Sequence, residues 1–147
     1  MLRGGRKFIY SRLAAIPNME APILKPIAED ARGGSWSLYF PDLNAEIVII
    51  YSKAGVYRGG HSHSKPEVSL LLSGKCHYWK IPTDGKEIEF DETPGSVLKN
   101  AAGEIHLSRF DAPSWLADFK IDTEVGECAT TNYEPYRSKV ILGSSGP

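Results

Sequence analysis

His61 and His63 stand two residues apart, and Glu67 follows His63 by four. Imidazole nitrogens and a carboxylate are ligands that iron, manganese, nickel, copper and zinc all accept. On a β-strand, residues i and i+2 face the same way, so both imidazoles can aim at one point. Pro66 predicts a turn just before Glu67. The strand that starts at Glu67 is expected to lie beside the one that carries the histidines. Two imidazoles and one carboxylate from adjacent strands would then make a divalent-metal site. A His-x-His pair alone is common on surface strands and usually carries no chemistry. The carboxylate and the glycines that frame this pair, Gly55 and Gly74, set it apart.

The stretch Gly55, five residues, His61-x-His63, three residues, Glu67, six residues, Gly74 resembles the first motif of the cupin family, with every spacing matched. A second, weaker match follows: Gly95, seven residues, Gly103, two residues, His106. Ala101 stands where the family has proline, and Phe110 where it has asparagine. The resemblance implies four metal ligands, His61, His63, Glu67 and His106, and one divalent transition metal per chain, of unspecified identity. It also implies an all-β fold, the double-stranded β-helix or jelly-roll barrel.

The elements that must position these residues read consistently with that fold. Short apolar or alternating runs recur at 35–40, 46–51, 67–73, 75–81, 87–90, 96–99, 106–110 and 115–122, separated by glycine- and proline-rich turns. Many short strands with such punctuation indicate a barrel or sandwich. Residues 46–51 are β-branched and apolar on both faces, which predicts a central strand. Residues 67–73 and 75–81 are expected to form a hairpin about Ser73-Gly74. Residues 1–34, broken by Pro17, Pro22 and Pro26, read as an N-terminal arm with a short strand at 8–13. The barrel is expected over 35–126, and a final strand or arm over 127–147. No long amphipathic helix is expected.

Alternation also suggests what lines the site. Ser69 and Leu71 share the face of Glu67, and Ser108 and Phe110 share that of His106. The hairpin register would pair Leu71 with Cys76, Ser69 with Tyr78 and Glu67 with Lys80, turning all three partners inward. Tyr78 then reads as a proton donor or substrate anchor, and Lys80 as a base or an anion contact. Each has a structural alternative: a buried, hydrogen-bonded tyrosine and a lysine snorkelling to the rim. Cys76 reads as a small core residue. Arg58 and Arg109 fall on the opposite parity and are expected at the rim or surface. His77 faces outward and is not expected to be a ligand. Val68, Leu70 and Leu72, with Trp79 beside them, form a second apolar face that needs a cover, for which a homodimer is one solution.

Composition narrows the function classes. Seventeen basic residues against 18 acidic ones give a net charge of -1, so no basic surface for nucleic acid is expected. No apolar run reaches the length of a membrane span or a signal-peptide core. Two cysteines do not make a disulfide framework, which makes the cytoplasm the expected compartment. The chain is too short for a helix-turn-helix domain beside the barrel, so a transcription regulator is not expected. The reading that remains is a metal-dependent enzyme on a small oxygen-rich molecule, either a dioxygenase or an isomerase or lyase that works beside a metal-bound carbonyl or enediol. A non-catalytic small-ligand or metal-binding module is the alternative.

Overall fold

The computed structural model describes residues 20–120 and 128–144. Eleven strands among them form two antiparallel sheets that share one core. The six-stranded sheet runs β1 (Ile23–Asp30), β2 (Gly33–Phe40), β3 (Ala45–Ser52), β10 (Ser114–Lys120), β5 (Glu67–Ser73), β8 (Val97–Asn100). The five-stranded sheet runs β11 (Thr130–Asn132), β4 (Tyr57–His63), β9 (Ile105–Phe110), β6 (Cys76–Ile81), β7 (Ile88–Glu92). A single helix, α1 (Glu134–Ser144), follows β11. No helix among the described residues is long and apolar enough to cross a membrane.

The period-two pattern translates directly into burial. Leu71 of β5, Cys76 of β6, Phe110 of β9 and Leu116 of β10 meet Val56 between the sheets and are all buried. Their opposite-parity neighbours Leu72 and Trp115 are exposed.

The expected hairpin is not there. β5 pairs with β10 and β8, while β6 pairs with β9 and β7. The chain crosses from one sheet to the other at Gly74. This glycine has φ +96°, and a Cβ there would lie 2.1 Å from Ser114 Oγ. Only glycine fits such a corner. Leu71, Ser69 and Cys76, Tyr78 do face the same interior, but from opposing sheets. For the same reason β5 does not lie beside β4; Glu67 comes to the histidines from the other sheet. Trp79 is likewise not beside Leu70 and Leu72 but on the outer face of the five-stranded sheet, under α1.

Both chain ends depart from the expected plan. Part of the N-terminal segment, Ile23–Asp30, is the edge strand β1, paired along its length with β2. The strand expected at 8–13 lies outside the described residues. The C-terminal segment holds the short strand β11 and then a helix where a strand or arm was expected. Pro135 suits a first helical turn, and Tyr133, Tyr136 and Val140 are spaced by three and four, on one helical face. That face packs on Leu107 of β9 and closes a second core outside the five-stranded sheet.

Candidate metal centre

β4 carries two consecutive glycines, Gly59 (φ +94°) and Gly60 (φ +75°), immediately before His61. The register of β4 against β9 slips there: Gly59 opposes Leu107, and His61, not Gly60, opposes His106. This is a β-bulge, and it turns His61 onto the inward face beside His106. His63 shares that face by ordinary alternation. The ring centroids of the three histidines lie 4.6, 5.0 and 5.4 Å apart. One nitrogen from each falls within 4.8 Å of the others, a group that could hold a metal ion. Glu67 reaches in from β5, with Oε2 at 3.4 Å from His63 Nε2 and Oε1 at 3.7 Å from His106 Nε2. Donors bound to one metal at ~2.0–2.2 Å stand roughly 3 Å apart when cis and about 4.2 Å when trans. The three imidazoles are thus spaced to hold a metal ion, and Glu67 lies beside two of them.

The outer nitrogens of His63 and His106 have partners too. His63 Nδ1 shares a 3.1 Å hydrogen bond with Thr130 Oγ1 of β11, and His106 Nδ1 faces the Glu104 carbonyl at 3.5 Å. A carbonyl only accepts, so that contact favours the Nδ1–H tautomer and leaves the His106 Nε2 lone pair facing the centre. Burial pushes the imidazoles toward neutrality. His61 is lowered to about 4, by desolvation first and then by His63 and Arg137. His106 is lowered to about 3, again by desolvation first and then by its two histidine neighbours. Neutral imidazoles are what a metal requires.

These shifts have a consequence for the metal-free protein. Below about pH 6.5 the unfolded chain takes up protons that the folded chain refuses, so stability falls as pH drops from 6.5 towards 3–4. The loss should be a few kcal/mol in total. Urea midpoints of chelator-treated protein between pH 7 and 4.5 should show it, and a His106→Gln variant should show a flatter profile. Parallel profiles would contradict this account.

The centre opens into a cavity of about 430 Å³. Of the residues expected to line the site, Ser69, Tyr78, Ser108 and Phe110 do so. Leu71 and Cys76 do not: both are fully buried in the core between the sheets. The Cys76 thiol is pushed up to about 12, by burial and then by Glu92, so it stays protonated. The Tyr78 hydroxyl donates to Asn100 Oδ1 at 2.7 Å, and its ring lies parallel to that of His106. Burial holds its pKa well above the usual phenol value. Lys80 opposes His106 in register but is not among the lining residues. Its ammonium donates to the Lys99 carbonyl at 2.7 Å and pairs with Glu104 at 2.6 Å, which ties β6 to the turn after β8.

Arg58 contradicts the parity reading. The bulge at Gly60 puts it opposite Ser108, on the inward face, and it lines the cavity. The Gly59-Gly60 pair was the signal that could have announced this. Its guanidinium donates to Ser52 Oγ (2.7 Å) and the Tyr51 carbonyl (2.9 Å). Burial, then Arg32, lowers its pKa. Asp118 of β10, Arg32 and Arg137 of α1 also line the cavity and were not singled out from sequence. Arg109 is at the surface as expected, bound to Asp111 at 2.9 Å. His77 faces outward between Asp91 (2.7 Å) and Glu89 (3.3 Å), and the Asp91 contact raises its pKa.

No protein-family model matches this sequence, and no curated protein does. Solved structures do match. The capsular polysaccharide assembling protein CapF from Staphylococcus aureus aligns at 21% identity and TM-score 0.61, over 76% of this chain and 34% of its own. Oxalate decarboxylase from Bacillus subtilis at pH 4.6 aligns at 17% identity and TM-score 0.65, over 80% of this chain and 32% of its own. The chain thus spans about a third of the length of each. CapF has been solved with the inhibitor 3-isopropenyl-tropolone, and the decarboxylase has Mn(II) centres. Both are cupin-fold proteins, and the present chain has the same fold.

Proposed function

We propose that this protein is a metal-dependent enzyme acting on a small oxygen-rich acid, as an isomerase or lyase. The observation that carries the reading is the convergence of His61, His63, His106 and Glu67 at a cavity that also holds Arg58 and Asp118. His61, His63, His106 and Glu67 would hold a divalent metal, which would supply Lewis acidity toward a carbonyl or a bound water. Arg58, held by Ser52 and the Tyr51 carbonyl, adds a fixed positive charge to the cavity that favours an anionic substrate. Asp118 is a carboxylate outside the ligand set, able to take a proton from the substrate. Tyr78 remains a neutral phenol and, with Asn100, shapes the wall behind His106. The presence of this second carboxylate in the cavity supports proton transfer over the dioxygenase alternative, since binding dioxygen calls for no such group.

The test joins elemental analysis of the purified protein with a product screen of hydroxy acids, keto acids and vicinal diols, run with an oxygen electrode. Turnover without oxygen uptake, lost in Asp118→Asn, supports the reading. Oxygen uptake would move the assignment to a dioxygenase. No metal even after reconstitution would leave a small-ligand binding module.

The same reading takes the protein as a cytoplasmic homodimer. Cys76 and Cys128 are both free, which suits a reducing compartment. The outer face of the six-stranded sheet leaves Leu72 (47%), Trp115 (41%) and Val97 (54%) exposed. A monomer in sedimentation equilibrium at micromolar concentration would overturn the dimer.

A further inference from the structure

We infer that Arg137 is a specificity-determining residue that binds a carboxylate of the substrate lying apart from its metal-binding oxygens. This rests on the metal-site reading above and adds the substrate feature that the four ligands do not select. Three guanidiniums line the cavity: Arg32, Arg58 and Arg137. Arg32 is taken up by Asp30, with Nε 3.1 and 3.2 Å from its two carboxylate oxygens. Arg58 is taken up by Ser52 and the Tyr51 carbonyl. Among the described residues, no carboxylate or carbonyl accepts a hydrogen bond from the Arg137 side chain. It is therefore the guanidinium with donors to offer a ligand, and an arginine fork matches a carboxylate.

The helix holds Arg137 in place. Tyr136 and Val140 are 5% and 1% exposed and anchor α1 on Leu107. Tyr133 N donates to the Gly60 carbonyl at 2.8 Å. A Cβ on Gly60 would lie 3.1 Å from Arg137 N and 3.3 Å from Arg137 Cα, so the helix backbone rests on the residue before His61. Arg137 lines the same cavity as His61 and His63. A cation fixed there, with the residual charge of a 2+ ion and one ligating carboxylate, favours an anionic ligand. The predicted substrate class is an oxyacid with metal-binding oxygens at one end and a carboxylate at the other.

Malate and lactate separate the two parts of this claim, because they share the 2-hydroxy-acid group and differ in a distal carboxylate. Titration calorimetry of the Mn(II)-loaded protein should show tighter binding of malate than of lactate. Arg137→Gln should weaken malate by about 10- to 100-fold, the usual worth of a charged hydrogen bond. It should leave lactate affinity and metal content unchanged, and Arg137→Lys should recover part of the loss. A Lys139→Gln control should change neither, since Lys139 is exposed, lies over the Trp79 ring and does not line the cavity. An unchanged malate-to-lactate ratio in Arg137→Gln, or no preference in the wild type, overturns the inference. Loss of metal, or of lactate binding in the wild type, would instead count against the metal-site reading.

Discussion

His106→Ala, His61→Ala and Glu67→Ala should each purify with less than about a tenth of the wild-type metal, while the strands remain folded. The proposed site has four donors around one point, with Glu67 within 3.7 Å of both His63 and His106. Loss of a residue that only hydrogen-bonds to a metal ligand typically weakens metal binding by roughly 10- to 100-fold, so loss of a ligand itself should exceed that. Folding should survive because none of the four belongs to the apolar cores. Glu67→Ala is the more informative variant. It removes a buried carboxylate whose desolvation opposes folding in the metal-free state. The metal-free variant should therefore melt no lower than the metal-free wild type, whereas added metal should raise the melting temperature of the wild type only. Equal metal content in wild type and all three variants, by elemental analysis, would sink the site assignment.

Gly74→Ala should destabilise the protein by about 3–5 kcal/mol, among the largest effects available to a single methyl group. Two costs add. At φ +96° an alanine carries strain of about 1 kcal/mol or more. Its Cβ would also stand 2.1 Å from Ser114 Oγ, 2.6 Å from the Pro113 carbonyl oxygen and 2.7 Å from Ser114 Cα. Ser114 cannot easily yield, since it is fully buried and its hydroxyl donates to the Ala112 carbonyl at 2.7 Å. Gly85→Ala provides the control: φ is +82° there, but no atom lies within 4 Å of the added Cβ. It should cost only the strain. For a domain of this size the difference corresponds to a gap of about 5–15 °C in melting temperature. Similar melting temperatures for the two variants would show that the corner at Gly74 is not the constraint described here. The damage should also reach the site, because Glu67 and Tyr78 leave this corner in opposite sheets.

Residue types and spacing carried much of this protein's plan. The run from Gly55 to Gly74 indicated the three inward side chains His61, His63 and Glu67, and strand alternation indicated that Ser69, Tyr78, Ser108 and Phe110 turn inward. A period of two is a local property, set by the pleat of each strand, and it survives whatever strand lies alongside. Strand partnership is not local. Nothing in Ser73-Gly74-Lys75 distinguishes a hairpin turn from a corner between sheets, because the difference lies in contacts with Pro113 and Ser114, about forty residues away. Parity itself fails where a bulge adds a residue, and so Arg58 came inside rather than to the rim. The helix that brings Arg137 to His61 is too short to stand on its own periodicity and is held by burial of Tyr136 and Val140 against β9. The sequence by itself thus indicated the inward turn of His61, His63, Glu67, Ser69, Tyr78, Ser108 and Phe110 at the candidate metal centre. Only the tertiary structure decided which charged residues surround it, because those came from a bulge, a sheet crossing and a docked helix, each fixed by packing between distant segments.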